Sequence, residues 1–151
     1  FAGRWSLALS GMYSDFAYKN KTRDSWSVSE ISLESRTWLS PSGRFTGLHT
    51  GVFAEYGDFD VRGNAIDSSE DILYGRTGCF WSAGLSMGYR FSLAGGLGMG
   101  LSVRAGYRSV FDGKKYRYDA PDDRNYLETR FASTGFMLGL RISLSYRFQI
   151  R

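Results

Sequence analysis

The chain has 151 residues, 17% of them aromatic, with 19 glycines, two prolines and a formal net charge of +4. That length supports one domain, no apolar run approaches the twenty residues of a membrane helix, and the basic residues form neither a run nor a helical stripe, which argues against nucleic-acid binding. The slightly negative mean hydropathy decides little, because alternation dilutes hydropathy in membrane barrels, and the lone Cys79 excludes an internal disulfide.

In chain order, Phe1-Ala2-Gly3-Arg4-Trp5 resembles the later Arg90 to Gly96 stretch, a strand end running into a tight turn. We therefore expect the chain to start within a protein whose N-terminal strands precede it; no signal peptide is present, although export needs one. A first strand is expected from about Trp5 to Tyr18, with Trp5, Leu7 and Leu9 opposing Ser6, Ala8 and Ser10. After a polar loop, a second is expected from about Trp26 to Leu39, with Ile31, Leu33, Thr37 and Leu39 on one face and Glu30, Ser32, Glu34 and Arg36 on the other. Ser40-Pro41-Ser42-Gly43-Arg44 supplies a tight turn. The third strand, about Phe45 to Tyr56 and extendable to Val61, sets Leu48, Val52, Ala54 and Tyr56 against Gly47, His49, Gly51, Phe53 and Glu55, where Phe53 is the one large exception.

A long, locally acidic loop is expected from Gly57 to Arg76, carrying Asp58, Asp60, Asp67, Glu70 and Asp71. From Cys79 to Phe91 every second residue is Cys, Trp, Ala, Leu, Met, Tyr or Phe, and those between are Phe80, Ser82, Gly84, Ser86, Gly88 and Arg90. Met99 to Phe111 follows the same rule, with Arg104 and Arg108 among its small or charged set. A charged loop, Asp112 to Arg130, then leads to a last strand, Thr134 to Phe148, whose Phe136, Leu138, Leu140, Ile142, Leu144, Tyr146 and Phe148 oppose Gly135, Gly139, Arg141, Ser143, Ser145 and Arg147.

Period two over six segments means strands. In a soluble sheet the face opposite the apolar one would be bare glycine and serine turned to water, whereas a transmembrane barrel puts apolar side chains to lipid and polar ones inside. The expected fold is therefore all-β, an antiparallel up-and-down transmembrane β-barrel with about six strands visible of an expected eight, residues 1–151 forming one outer-membrane domain. Connections alternate short and long, as in barrels with short periplasmic turns and long outer loops. Trp5, Trp81, Tyr89, Phe91, Tyr107, Phe111, Phe136, Tyr146 and Phe148 lie near outward strand ends and read as a lipid-facing aromatic girdle.

Glu34-Ser35-Arg36-Thr37-Trp38, Gly43-Arg44-Phe45-Thr46-Gly47-Leu48-His49 and Gly84-Leu85-Ser86-Met87-Gly88-Tyr89-Arg90-Phe91 resemble the E-x-R-x-W, G-x-x-x-G-L-H and G-x-G-L-x-x-G-Y elements of the DUF3575 family. Lys114-Lys115-Tyr116-Arg117-Tyr118 is similar to it as well, and the resemblance runs from about Arg4 to Phe148. It implies a small outer-membrane barrel of Bacteroidota, of unknown function, some of whose relatives accompany surface-assembly clusters. The chain departs from that pattern in lacking the N-terminal strands and in carrying Ala83 in place of the first glycine of the third element.

The inward set Glu30, Glu34, Arg36, His49, Glu55, Arg90, Arg104, Arg108 and Arg141 reads as a lumenal charge network. A lumen of about eight strands is only wide enough for side chains, so acids and arginines must pair inside it, which also speaks against an open pore. A catalytic alternative would use His49 with Glu34 or Glu55 and a serine such as Ser86, as a lipid-modifying enzyme. A soluble lipocalin-like carrier is the third reading, with the leucines turned inward around a ligand. The acidic loop matches no calcium-binding spacing. The expected function is a non-enzymatic outer-membrane scaffold or accessory subunit of a surface complex, with no cofactor, and with outer-membrane lipid, lipopolysaccharide and other surface proteins as partners.

Overall fold

The computed structural model describes residues 4–17, 24–39, 45–62, 74–93, 97–117 and 125–146. Six strands make up all their regular structure: β1 (Trp5–Ala17), β2 (Ser25–Trp38), β3 (Gly47–Arg62), β4 (Tyr74–Ser92), β5 (Leu97–Arg117) and β6 (Asn125–Tyr146). Each pairs antiparallel with the next in one sheet ordered β1-β2-β3-β4-β5-β6. The all-β antiparallel reading holds. The sheet is not closed, because β1 and β6 are not paired with each other.

It is nevertheless strongly curled. Arg141 of β6 donates to Ser10 of β1 at 2.6 Å, and Arg104 of β5 reaches Glu34 of β2. Such contacts between strands several positions apart need one concave face. A pair of glycines helps the bend: Gly84 and Gly106 stand opposite each other on β4 and β5, and a Cβ on Gly84 would lie 2.6 Å from the Gly106 Cα.

The faces separate as the alternation requires. On the convex side Leu9 is 71% exposed, Leu138 72% and Leu144 74%; on the concave side Glu34 is 1% exposed and Arg104 5%. This is the reverse of a water-soluble interior.

The strands run further than their first alternating stretch. Residues 57–62 continue β3, realising the extension allowed to Val61, while 74–76 of β4, 112–117 of β5 and 125–130 of β6 stand on strands where the sequence led us to expect loop. Asp58, Asp60, Arg62 and Arg76 thus stand on strands, while Asp67, Glu70, Asp71 and the 40–44 turn lie outside the described residues.

In these extensions the polarity reverses. The cross-strand set Ser27, Asp60, Thr77, Lys114 and Arg130 lies on the convex side, where the sets below carry Leu33, Ala54, Ala83, Tyr107 and Phe136. On the concave side at the same level stand Val28, Phe59 and Phe80; Val28 and Phe80 are buried and Phe59 half-buried, and the rings of Phe59 and Phe80 lie 6.5 Å apart.

Candidate functional site

The concave face gathers charge around Glu34. In the middle of β2 an inward glutamate is buried among three strands, and an unpaired carboxylate there would be costly. It is well paired. Arg36 approaches it with two parallel donors, Nε to Oε1 at 2.9 Å and Nη2 to Oε2 at 3.0 Å, the bidentate geometry that suits a guanidinium to a carboxylate. Arg104 Nη2 donates to Oε2 at 2.5 Å, Ser86 donates to Oε1 at 2.8 Å, and Arg141 lies 3.9 Å away.

Glu55 on β3 is the second acid. Arg104 donates to it through Nη1, and Arg108 comes within 3.5 Å. Arg104 therefore ties β5 to β2 and β3 at once, and it also donates to Ser32 at 3.2 Å. Beneath it lies Phe53, with the guanidinium carbon 4.8 Å from the ring centre. The one large inward residue of β3 is thus a cation–π platform. Phe80 serves Arg108 in the same way at 4.2 Å, while Arg108 Nε donates to Ser82 at 3.0 Å.

Of the residues expected in a lumenal network, Glu34, Arg36, Glu55, Arg104, Arg108 and Arg141 come together directly. Glu30 faces Glu55, Arg108, Arg104 and Arg141 at longer range, and Arg90 stands on the same face towards the other end of β4, opposite Gly47 and Gly100. The serines Ser10, Ser32, Ser82 and Ser86 escaped the sequence reading as network members. Serine is abundant on that face, and only the curl selects those within reach of an arginine.

His49 behaves differently. It is 3% exposed and its ring lies 4.7 Å from that of Trp38. Both imidazole nitrogens are buried without a hydrogen-bond partner among the described residues. Ser86 spends its hydroxyl proton on Glu34, which two arginines already hold. The serine–histidine hydrogen bond that nucleophile activation requires is not formed.

On the convex side, Trp5, Trp81, Tyr89, Phe91, Tyr107 and Phe136 are exposed, and Phe111 is half-buried with its ring 6.1 Å from that of Tyr56. Tyr13 and Tyr56 join them, 74% and 53% exposed. The β6 backbone includes Tyr146; Phe148 lies outside the described residues. Above this set stands a polar cluster. Tyr116, 1% exposed, crosses over Gly75, accepts from Arg62 Nε at 2.6 Å and donates to Asp60. Burial and the Asp60 carboxylate push its phenol above the usual tyrosine range, so the proton stays on.

Fold and site define a class: an antiparallel β-sheet protein whose curled interior is charged and whose exterior is apolar across the middle of the strands. The chain belongs to the DUF3575 family, described as proteins of unknown function, which it matches over residues 1–148. No curated protein and no solved structure matches it.

Proposed function

We propose that the protein is a non-enzymatic outer-membrane β-barrel that serves as a scaffold or accessory subunit of a larger cell-surface complex. The observation that carries the membrane part is the polarity reversal along the strands. Trp81 to Phe91 on β4 covers the apolar stretch; at roughly 3.3 Å per residue it is about 33 Å long, and at a tilt near 40° it rises about 25 Å, the height of the apolar band of such barrels. Beyond it, where the protein would re-enter water, charge moves to the outside and Val28, Phe59 and Phe80 move in.

The proposal includes two further strands seated between the unpaired edges of β1 and β6. Phe16 and Trp26, paired across β1 and β2 and turned to the concave side, are 61% and 53% exposed beside the open edge, and closing strands would cover them. The filled, ion-paired interior supports a structural role for the lumen over catalysis or conduction. Recognition falls to the long extracellular loops and the outer wall, since exposed loops on a rigid scaffold are where binding residues concentrate.

The test is fractionation of the native host protein, then extraction in mild detergent and mass spectrometry of what accompanies it. Outer-membrane recovery with a fixed partner is expected. Recovery in a soluble fraction would overturn the membrane reading, and repeated recovery alone would overturn the accessory-subunit reading.

A further inference from the structure

On the convex face, one step beyond the aromatic residues, lies a cavity of about 380 Å³ lined by Asp58 of β3, Thr77 and Cys79 of β4, Asp112 and Lys114 of β5 and Arg130 of β6. Backbone irregularity shapes it. The β4–β5 ladder shifts register between Thr77 and Cys79, the β5–β6 ladder between Val110 and Gly113, and Asp112 sits at a φ of 49°. Bulges re-aim side chains and gather at functional places, and a non-glycine residue in the left-handed region persists only when its surroundings hold it there. The β4 and β5 backbones approach closely behind it, since a Cβ on Gly78 would lie 3.0 Å from the Gly113 Cα.

The lining carries both signs. Lys114 stands directly opposite Arg130, which sets two cations side by side on the lining. Asp58 and Asp112 supply two carboxylates, and Ser29 donates to Asp58 Oδ1 and fixes its orientation. If the apolar wall below faces lipid, this cavity stands at headgroup level.

Resting on that membrane reading, we infer that the cavity holds the headgroup of a phosphoethanolamine-bearing lipid, its phosphate on Lys114 and Arg130 and its primary ammonium on Asp58 and Asp112. The charge pattern favours this headgroup over two near relatives. A glycerol headgroup brings no cation for the carboxylates, and a choline headgroup has no N–H to donate.

The experiment uses the full-length native protein, extracted in mild detergent, stripped of lipid and titrated by native mass spectrometry with short-chain phosphatidylethanolamine, phosphatidylcholine and phosphatidylglycerol. Phosphatidylethanolamine is expected to bind about tenfold more tightly than either other lipid. Lys114→Ala with Arg130→Ala should remove that binding. Asp58→Asn with Asp112→Asn should lower it to the phosphatidylglycerol level, and Arg76→Ala, on the other face, should leave it unchanged. Should the Asp112 change prevent folding, Asp58→Asn alone still tests the carboxylate role.

Equal retention of the three lipids, or binding indifferent to these substitutions, would overturn the inference. Saturation by free phosphoethanolamine at the same affinity would overturn the lipid as its source. Protease protection of the protein in vesicles separates the two layers: a protected protein without headgroup preference removes this inference alone, whereas an unprotected one removes the membrane reading beneath it.

Discussion

The lower and upper halves of β2 obey the same alternation in opposite phase. Below, Ile31 and Leu33 turn outward while Ser32 and Glu34 turn inward; above, Ser25, Ser27 and Ser29 turn outward while Trp26 and Val28 turn inward. β3 changes at the same level, with Val52 and Tyr56 outward below and Asp58, Asp60 and Arg62 outward above. No bulge separates the halves of these two strands, whose pairing runs unbroken from Ser25 to Trp38. The backbone is therefore continuous, and what changes is which face carries the apolar side chains. The upper half is ordinary, with aromatic and aliphatic side chains under a charged skin. The lower half is inverted, and its interior must be held by ion pairs because apolar burial is not available there.

Four substitutions break or sharpen that contrast. The largest effect is expected from Glu34→Ala, which takes from Arg36 its bidentate partner and leaves Arg104 with Glu55 as its remaining carboxylate on the buried concave face; removing one partner of such a cluster costs about 3–5 kcal/mol. Loss of folded, heat-modifiable protein on gels and a lowered denaturant midpoint would register it, with Glu34→Gln milder. Next comes Leu85→Arg, 66% exposed at mid-wall. In water it would be harmless, but facing lipid it costs about 2–4 kcal/mol, read as reduced refolding into bilayers. A neutral result would abolish the distinction between the halves.

Tyr116→Phe in the upper half removes one donor and one acceptor from the Asp60–Arg62 cluster, for about 1–2 kcal/mol. Its pH signature has a definite sign. With the folded phenol raised above its ordinary value of 10.0, the contribution is complete below that pH and declines as the unfolded phenol ionises first. Alkaline denaturation should be shallower in the variant. Smallest is Ser27→Arg, whose cross-strand neighbours are Asp15 and Asp60; a solvated pair there changes stability by under about 0.5 kcal/mol, measurable as an almost unmoved midpoint.

The same phase change explains what the sequence does and does not reveal. The apolar face from Trp81 to Phe91 and its partner from Met99 to Phe111 are legible because period two there separates leucine from glycine and arginine. Asp58-Phe59-Asp60-Val61-Arg62 keeps the period just as well, but with charge on the outward face it resembles a solvated loop until its pairing with β2 and β4 is known. On β5 an extra residue between Val110 and Lys114, seen in its ladders with both β4 and β6, shifts the pattern by one and hides the continuity. Membership of the charged interior is readable from alternation alone. Its hub is not, because Glu34, Glu30 and Glu55 share one pattern, and only the curl adds Arg104 and Arg141 to the Arg36 that already lies beside Glu34 on its own strand. His49 draws attention as the single histidine, and its neighbour Trp38, rather than any serine, defines its surroundings.

Arg104 and Glu34 are 70 residues apart in sequence, and Arg104 and Ser32 are 72 apart. Until β5 arrives, strands β2 and β3 hold two carboxylates that lack the guanidinium common to both. Nascent sheets of one, two or three strands would therefore carry an electrostatic debt that only a late, distant segment discharges. Chains dominated by such long-range closures assemble slowly, and a sheet in which β5 had not docked would leave Glu55 without Arg104 and Glu34 with only Arg36 of its own strand.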